Sequence, residues 1–171
     1  MDTPSTEADV APETLIAPAK LTLSLRITGR RDDGYHLIDA EMVSLDFHDR
    51  LEIAPGDSLT VVGPRGTETV GPNEDNLVRR ALALAGRTAS VTLHKQIPTG
   101  AGLGGGSADA AAVLRWAGFT DLRAAAALGA DIAFCLVGGR ARVTGIGEVV
   151  DPLPHDRRTF TIVTPPIFCS T

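Results

Sequence analysis

Between residues 98 and 107 the chain reads Pro98-Thr99-Gly100-Ala101-Gly102-Leu103-Gly104-Gly105-Gly106-Ser107, and an alanine-rich run follows at once. Five glycines in ten residues lose much conformational entropy on folding. That loss is tolerated where the backbone must take φ angles closed to other residues or approach a ligand closely. The run Ala108-Asp109-Ala110-Ala111-Ala112-Val113-Leu114-Arg115-Trp116 is a strong helix former, and Gly118 stops it. A glycine turn that opens a helix points several backbone N–H groups at one spot, where the helix adds about half a positive charge. The chemistry suited to that arrangement is phosphate binding. Ser107 stands where its hydroxyl can cap the helix or reach a phosphate or its metal.

Other glycine loops fit less well. A flexible linker seldom runs from a clean strand directly into a strong helix. Gly100, Gly102 and Gly105 satisfy GxGxxG, but Ile97-Pro98-Thr99 separates them from the preceding strand, where a dinucleotide-binding turn follows its strand tightly. No Lys-Ser or Lys-Thr follows the glycines, so a Walker A loop is excluded.

The 171 residues suit one domain, and 43% apolar residues support a core built of aliphatics and alanine rather than of the few aromatics. A net charge of −5 speaks against a nucleic-acid binder, whose footprint is a basic face. It leaves room for a small anion held by amides and one or two lysines. Cys135 and Cys169 lie far apart, without a CxxC or clustered histidines, so neither a zinc site nor a disulfide framework is suggested. No apolar run is long enough to cross a bilayer, and the acidic N-terminus lacks a signal peptide's basic region. A cytoplasmic protein without membrane association is expected.

Residues 1–14 read as a disordered acidic tail, with one domain over 15–171. Leu21, Leu23 and Leu25 alternate with Thr22, Ser24 and Arg26, as in a half-buried strand. Gly29–Gly34 is a turn, Tyr35–Ile53 a long extended stretch, Leu59–Val62 a strand and Gly63–Pro72 a loop. A helix is predicted over Asp75–Leu84, a strand over Ser90–Lys95, and helices over Ser107–Trp116 and Leu122–Leu128. Arg140–Val149 and Thr159–Val163 read as strands around the Val137-Gly138-Gly139 turn, and Pro165-Pro166 marks an edge. Without regular βα alternation the pattern predicts an α+β domain.

Three segments in order, Pro18-Ala19-Lys20-Leu21, Arg30-Arg31-Asp32-Asp33-Gly34-Tyr35-His36 and Ile97–Ser107, resemble the GHMP kinases. Glu74-Asp75-Asn76-Leu77, Leu128-Gly129-Ala130-Asp131 and Thr144-Gly145-Ile146-Gly147-Glu148 extend the resemblance. Within the family it is strongest to members that phosphorylate a cytidine-diphosphate-linked methylerythritol in non-mevalonate isoprenoid synthesis. The resemblance implies a ribosomal protein S5 domain 2-like fold and ATP-dependent phosphorylation of a hydroxyl on that small molecule. It implies that Pro98, Thr99, Gly100, Ala101, Gly102, Leu103, Gly104, Gly105, Gly106, Ser107 and Ala108 hold ATP, with Asn76 and Lys95 also contacting the nucleotide. Asp131 and Lys20 match the catalytic aspartate and lysine, and Tyr35 and His36 match residues that recognise the cytosine base.

These roles are chemically reasonable. Phosphoryl transfer needs positioning and charge neutralisation more than covalent help, which an aspartate base and a compact lysine charge supply. Tyr35 offers a stacking face and His36 a donor and an acceptor. By residue type alone, Asp131 would be a helix cap, Lys20 a solvated strand residue, Lys95 an exposed strand-end charge and Asn76 a helix-start residue. No carboxylate pair suggests a protein-held metal, so Mg2+ is expected only as the counter-ion of ATP. Thr22, Ala108 and Ala133 depart from the family's usual asparagine, serine and proline. The family continues into a second domain about where this chain stops at Thr171, so weak ATP binding and slow or absent turnover are expected of the chain alone. The alternative function is a truncated, weakly active or inactive nucleotide-binding module of this family. An RNA-associated domain would rest on fold analogy alone.

Overall fold

The computed structural model describes residues 12–63 and 75–163. Its elements are β1 (Glu13–Arg30), β2 (His36–Ala54), β3 (Ser58–Val62), α1 (Leu77–Leu84), β4 (Ser90–His94), α2 (Gly105–Trp116), α3 (Leu122–Leu128), α4 (Ile132–Val137), β5 (Arg140–Gly145) and β6 (Val149–Pro152). The strands form a single sheet in the order β3-β4-β2-β5-β6, with β1 paired along β2. Only β3 and β4 run parallel. The α+β expectation is met, and the sheet is organised by its longest strand. One end of β2 pairs with β4 through residues 50–54 and the other with β5 through residues 38–43. Residues 44–49 between them are left out of both ladders.

Helix α2 lies against β1 and β2 and touches α1 and α4. Every residue from Ala108 to Leu114 is buried, so the alanines are the small side chains that let a helix sit inside the core. Around it pack Leu51, Val91, Leu93, Ile132, Phe134 and Val143. At about 25 cal/mol per Å² of apolar surface removed from water, such burial is the main stabilising term. Capping follows side-chain chemistry: Asn76 accepts from the Val78 amide at 2.9 Å and Asp121 from the Arg123 and Ala124 amides at 3.0 Å.

Several local expectations change. β1 begins at Glu13, within the stretch assigned to the tail, because Glu13 pairs with Ile53 and accepts from the Trp116 indole at 3.0 Å. Residues 1–11 of that tail lie outside the described residues, as do most of the loop expected over 63–72 and the Pro165-Pro166 edge. Leu25 is exposed, because both faces of β1 are open from Ser24 to Thr28 in the outer part of the β1–β2 hairpin. The helix after the glycines starts at Gly105 rather than Ser107, capped by Gly104 in the left-handed region, so Ser107 is not its cap. The expected strand Arg140–Val149 is a hairpin of β5 and β6, broken at Gly145 and Gly147. Thr159–Val163 is not a strand. It is mostly exposed and pairs with no ladder.

Gly147 sits at φ +115°, and a Cβ there would come within 2.4 Å of the Ala130 carbonyl oxygen. That neighbour is backbone and cannot swing aside. Gly147→Ala is expected to destabilise the domain by about 2–3 kcal/mol, measured by urea unfolding.

Candidate active site

The glycine segment walls one side of a cleft of about 670 Å³, lined also by Lys20, Asp75, Asn76, Leu77, Lys95, Ile97, Asp109 and Asp131. That volume suits a small-molecule ligand. Gly100, Gly102 and Gly104 have φ of 74°, 72° and 66°, so alternate residues of the turn occupy the left-handed region. Helix α2 then begins, and its first-turn amides at Gly105, Gly106 and Ser107 have no intrahelical partner. Two amides of the expected set are spent internally. Ala101 donates to the Pro98 carbonyl at 3.4 Å and Ala108 to the Gly104 carbonyl at 2.8 Å. Ala108 is buried and does not line the cleft, which leaves Pro98–Ser107 as the wall.

Lys20 is not a solvated strand residue. The bulge at Pro18/Lys20 turns Ala19 and Lys20 inward in succession, and the Lys20 amide donates to the Leu103 carbonyl at 2.9 Å. The glycine turn is therefore fastened to β1 where β1 leaves its regular phase. The Lys20 ammonium donates to Thr22 Oγ1 at 3.2 Å and reaches Asp131 Oδ2 at 3.1 Å.

Asp131 precedes α4, yet its side chain makes no capping bond. The carboxylate faces Lys20 and the cleft instead, with a 29% exposed side chain. A turn further on, burial and then the charge of Asp131 push the Cys135 thiol up to about 12. It stays a thiol and is chemically inert.

A Cβ at Gly104 would lie 2.7 Å from Lys20 Cγ. Gly104→Val both forces a branched residue into the left-handed region and pushes Lys20 away from Asp131. Folding stability measured by urea unfolding is expected to fall by about 1–3 kcal/mol.

Beneath the glycine wall lies a buried charge cluster. Lys95 Nζ donates to Asp109 Oδ2 at 2.8 Å and also to Asp49 Oδ2. Asp49 Oδ1 accepts the amides of Gln96 and of Ile97, the latter at 2.8 Å. All three charged side chains are at most 7% exposed. Burial alone would weaken the Lys95 ammonium, but Asp109 and Asp49 outweigh it and raise its pKa. Burial pushes Asp109 up to about 7, with Lys95 opposing and Asp49 reinforcing the rise.

The site residues thus divide. Lys20, Asn76, Lys95, Asp131 and Pro98–Ser107 converge on one cleft. Asn76 is also the cap of α1, so the residue-type reading and the cleft position both hold. Lys95 is no exposed strand end. Tyr35 and His36 stand at the tip of the β1–β2 hairpin and do not line the cleft. Asp49 and Asp109 were not singled out from the sequence. Their signal is an acid at an inward-facing strand position, in phase with Leu51 and Ile53, and an acid inside an apolar helix.

Residues 76–139 match the family profile of the GHMP kinases N terminal domain. The 4-diphosphocytidyl-2-C-methyl-D-erythritol kinase of Paracoccus denitrificans is 52% identical over 139 residues, covering 81% of this chain and 50% of that protein. The crystal structure of a 4-(cytidine 5'-diphospho)-2C-methyl-D-erythritol kinase superposes with TM-score 0.62 at 40% identity, over 82% of this chain and 55% of the other. The Methanococcus jannaschii mevalonate kinase shares the fold, with TM-score 0.51 at 13% identity, over 85% of this chain and 57% of that one. The chain spans about half the length of the curated relatives it matches. A glycine turn docked on a bulged strand and a lysine–aspartate pair at its mouth coincide with these matches: residues 76–139 of the chain carry the N-terminal domain of the GHMP kinases.

Proposed function

We propose that this domain binds ATP at the glycine wall and contributes to phosphorylation of the hydroxyl of 4-diphosphocytidyl-2-C-methyl-D-erythritol. The observation that carries the reading is the Lys20–Asp131 pair, 3.1 Å apart at the edge of the same cleft as the first turn of α2. The triphosphate lies along Gly102–Ser107, where left-handed glycines keep side chains out of its path and the unpaired amides of α2 face it. Lys20 supplies a positive charge to the transferring phosphoryl group. Asp131 accepts the proton of the acceptor hydroxyl, or orients that hydroxyl for in-line attack.

Among the described residues no three His, Cys, Asp or Glu side chains gather as cation ligands, so in this reading Mg2+ arrives on ATP. Tyr35 and His36 are assigned to the cytosine end of the substrate. Among the described residues no helix is long and apolar enough to cross a membrane, and a cytoplasmic setting belongs to the same proposal. The net charge of −5 weighs against nucleic acid as a partner.

The test is transfer of labelled γ-phosphate from ATP to the cytidyl substrate, run with the chain alone and with the chain joined to the remaining half of its Paracoccus denitrificans relative. Transfer by the joined protein supports the reading. ATP binding without any transfer in either would leave a nucleotide-binding module and overturn the kinase assignment.

A further inference from the structure

The cluster of Lys95, Asp49 and Asp109 sets one cation against two carboxylates, and it stands directly under the wall assigned to the triphosphate. A Cβ on Gly105 would lie 3.0 Å from Lys95 Nζ. With both acids ionised the cluster carries a net charge of −1, next to a place where a highly charged anion is to be held. At close range inside a protein, a like charge costs several times what it costs in water.

The two carboxylates are not equivalent. Asp49 is saturated, accepting from Lys95 through one oxygen and from two backbone amides through the other. Asp109 meets Lys95 through Oδ2 alone. Its Oδ1 is buried and has no hydrogen-bond partner among the described residues, although Asp109 borders the cleft. An unpartnered buried carboxylate oxygen is costly, whereas a protonated one can donate to an acceptor.

We propose that Asp109 is a proton-linked positioning residue beneath the cleft, whose carboxylic acid form an incoming polyphosphate favours, so that nucleotide binding is coupled to proton uptake at Oδ1. This inference rests on the ATP reading of the cleft and adds a group to it. Protonation removes the surplus negative charge and turns the orphan oxygen into a donor. The resting group is already poised for this, because burial pushes it up to about 7.

The other charges facing the site do not replace it. Lys20 from β1 and Asp131 ahead of α4 neutralise each other. Asp75 ahead of α1 adds further negative charge at the rim. On α4 Cys135 remains a neutral thiol. Arg115 of α2 itself is held by the Cys135 and Ile16 carbonyls.

The experiment is calorimetric titration with ATP in EDTA at pH 7, in buffers of different ionisation enthalpy, for the wild-type chain and Asp109→Asn. A group that is partly ionised when free and protonated when bound takes up a fraction of a proton per ATP at that pH. Wild type should exceed Asp109→Asn by that amount, since any protonation of ATP itself is common to both. Above pH 7 wild-type affinity should fall by up to about tenfold more per pH unit than that of the variant. Carbon-13 NMR of the Asp109 carboxyl in the wild-type chain needs no substitution and should show its titration midpoint rise on adding ATP. Equal proton uptake in the two proteins, or a midpoint unmoved by ATP, overturns the inference while leaving ATP binding intact. A difference that appears only with Mg2+ overturns it in favour of a cation ligand. No ATP binding by wild type overturns the inference, and the transfer assay then decides the proposed function separately.

Discussion

Lys95→Met is expected to lower folding stability by about 3–5 kcal/mol, the cost of removing the cation from a buried ionic cluster. Methionine keeps most of the lysine's volume, so the loss reads charge rather than packing. Asp49 and Asp109 would face each other without a counter-charge at side-chain exposures of 0% and 3%. The pH dependence has a definite sign. Asp109 holds its proton to a higher pH folded than unfolded, so the folded state binds more protons and its stability falls as pH rises from the ordinary carboxylate range to about 7. Removing Lys95 takes away the influence that opposes this rise, so the window extends further upward. Part of the lost stability should therefore return when the variant is taken from pH 8 to pH 6. Lys95 has a raised pKa, so its contribution is complete at neutral pH and fades only above its ordinary value of 10.5. Urea unfolding at both pH values checks the prediction. A loss under 1 kcal/mol at pH 8 would mean that the carboxylates are neutral or hydrated without the lysine.

On the proposed function, Asp131→Asn should reduce γ-phosphate transfer by about 10²–10⁴-fold, the range over which a positioned acid or base contributes. Asparagine conserves shape and can still accept from Lys20, but it cannot take a proton from an attacking hydroxyl. The side chain caps no helix, but it is the counter-charge of Lys20, whose side chain is 11% exposed, so a modest fall in melting temperature should accompany the loss of transfer. ATP KM should move less than about threefold, because the amides of Gly105, Gly106 and Ser107 are untouched. A variant that lost activity only through a raised KM would make Asp131 a binding group rather than the centre of the chemistry.

How much of this was legible from the chain depends on the range of the interactions concerned. The helices were visible because their signals are local: a stripe of apolar residues in α1, an alanine run in α2, a short run closed by Gly129 in α3. Helix α4 was not, since six consecutive apolar residues buried against their neighbours show no period. The hairpin of β5 and β6 was read as one strand, because the turn residues Gly145 and Gly147 sit inside an otherwise strand-like run. Thr159–Val163 has strand composition without a partner, and only pairing makes a strand.

The site divides in the same way. The amino-acid sequence alone determined that a glycine turn opens a buried helix and that this end of the molecule suits an anion, because glycine conformations and helix polarity belong to neighbouring residues. Only the tertiary structure decided that Lys20 turns inward at a bulge to meet Asp131, 111 positions along the chain. It also decided that Lys95 serves Asp49 and Asp109 from beneath the loop. Those pairings depend on where distant strands place their side chains and on how little water reaches them, and neither quantity exists until the chain has closed on itself.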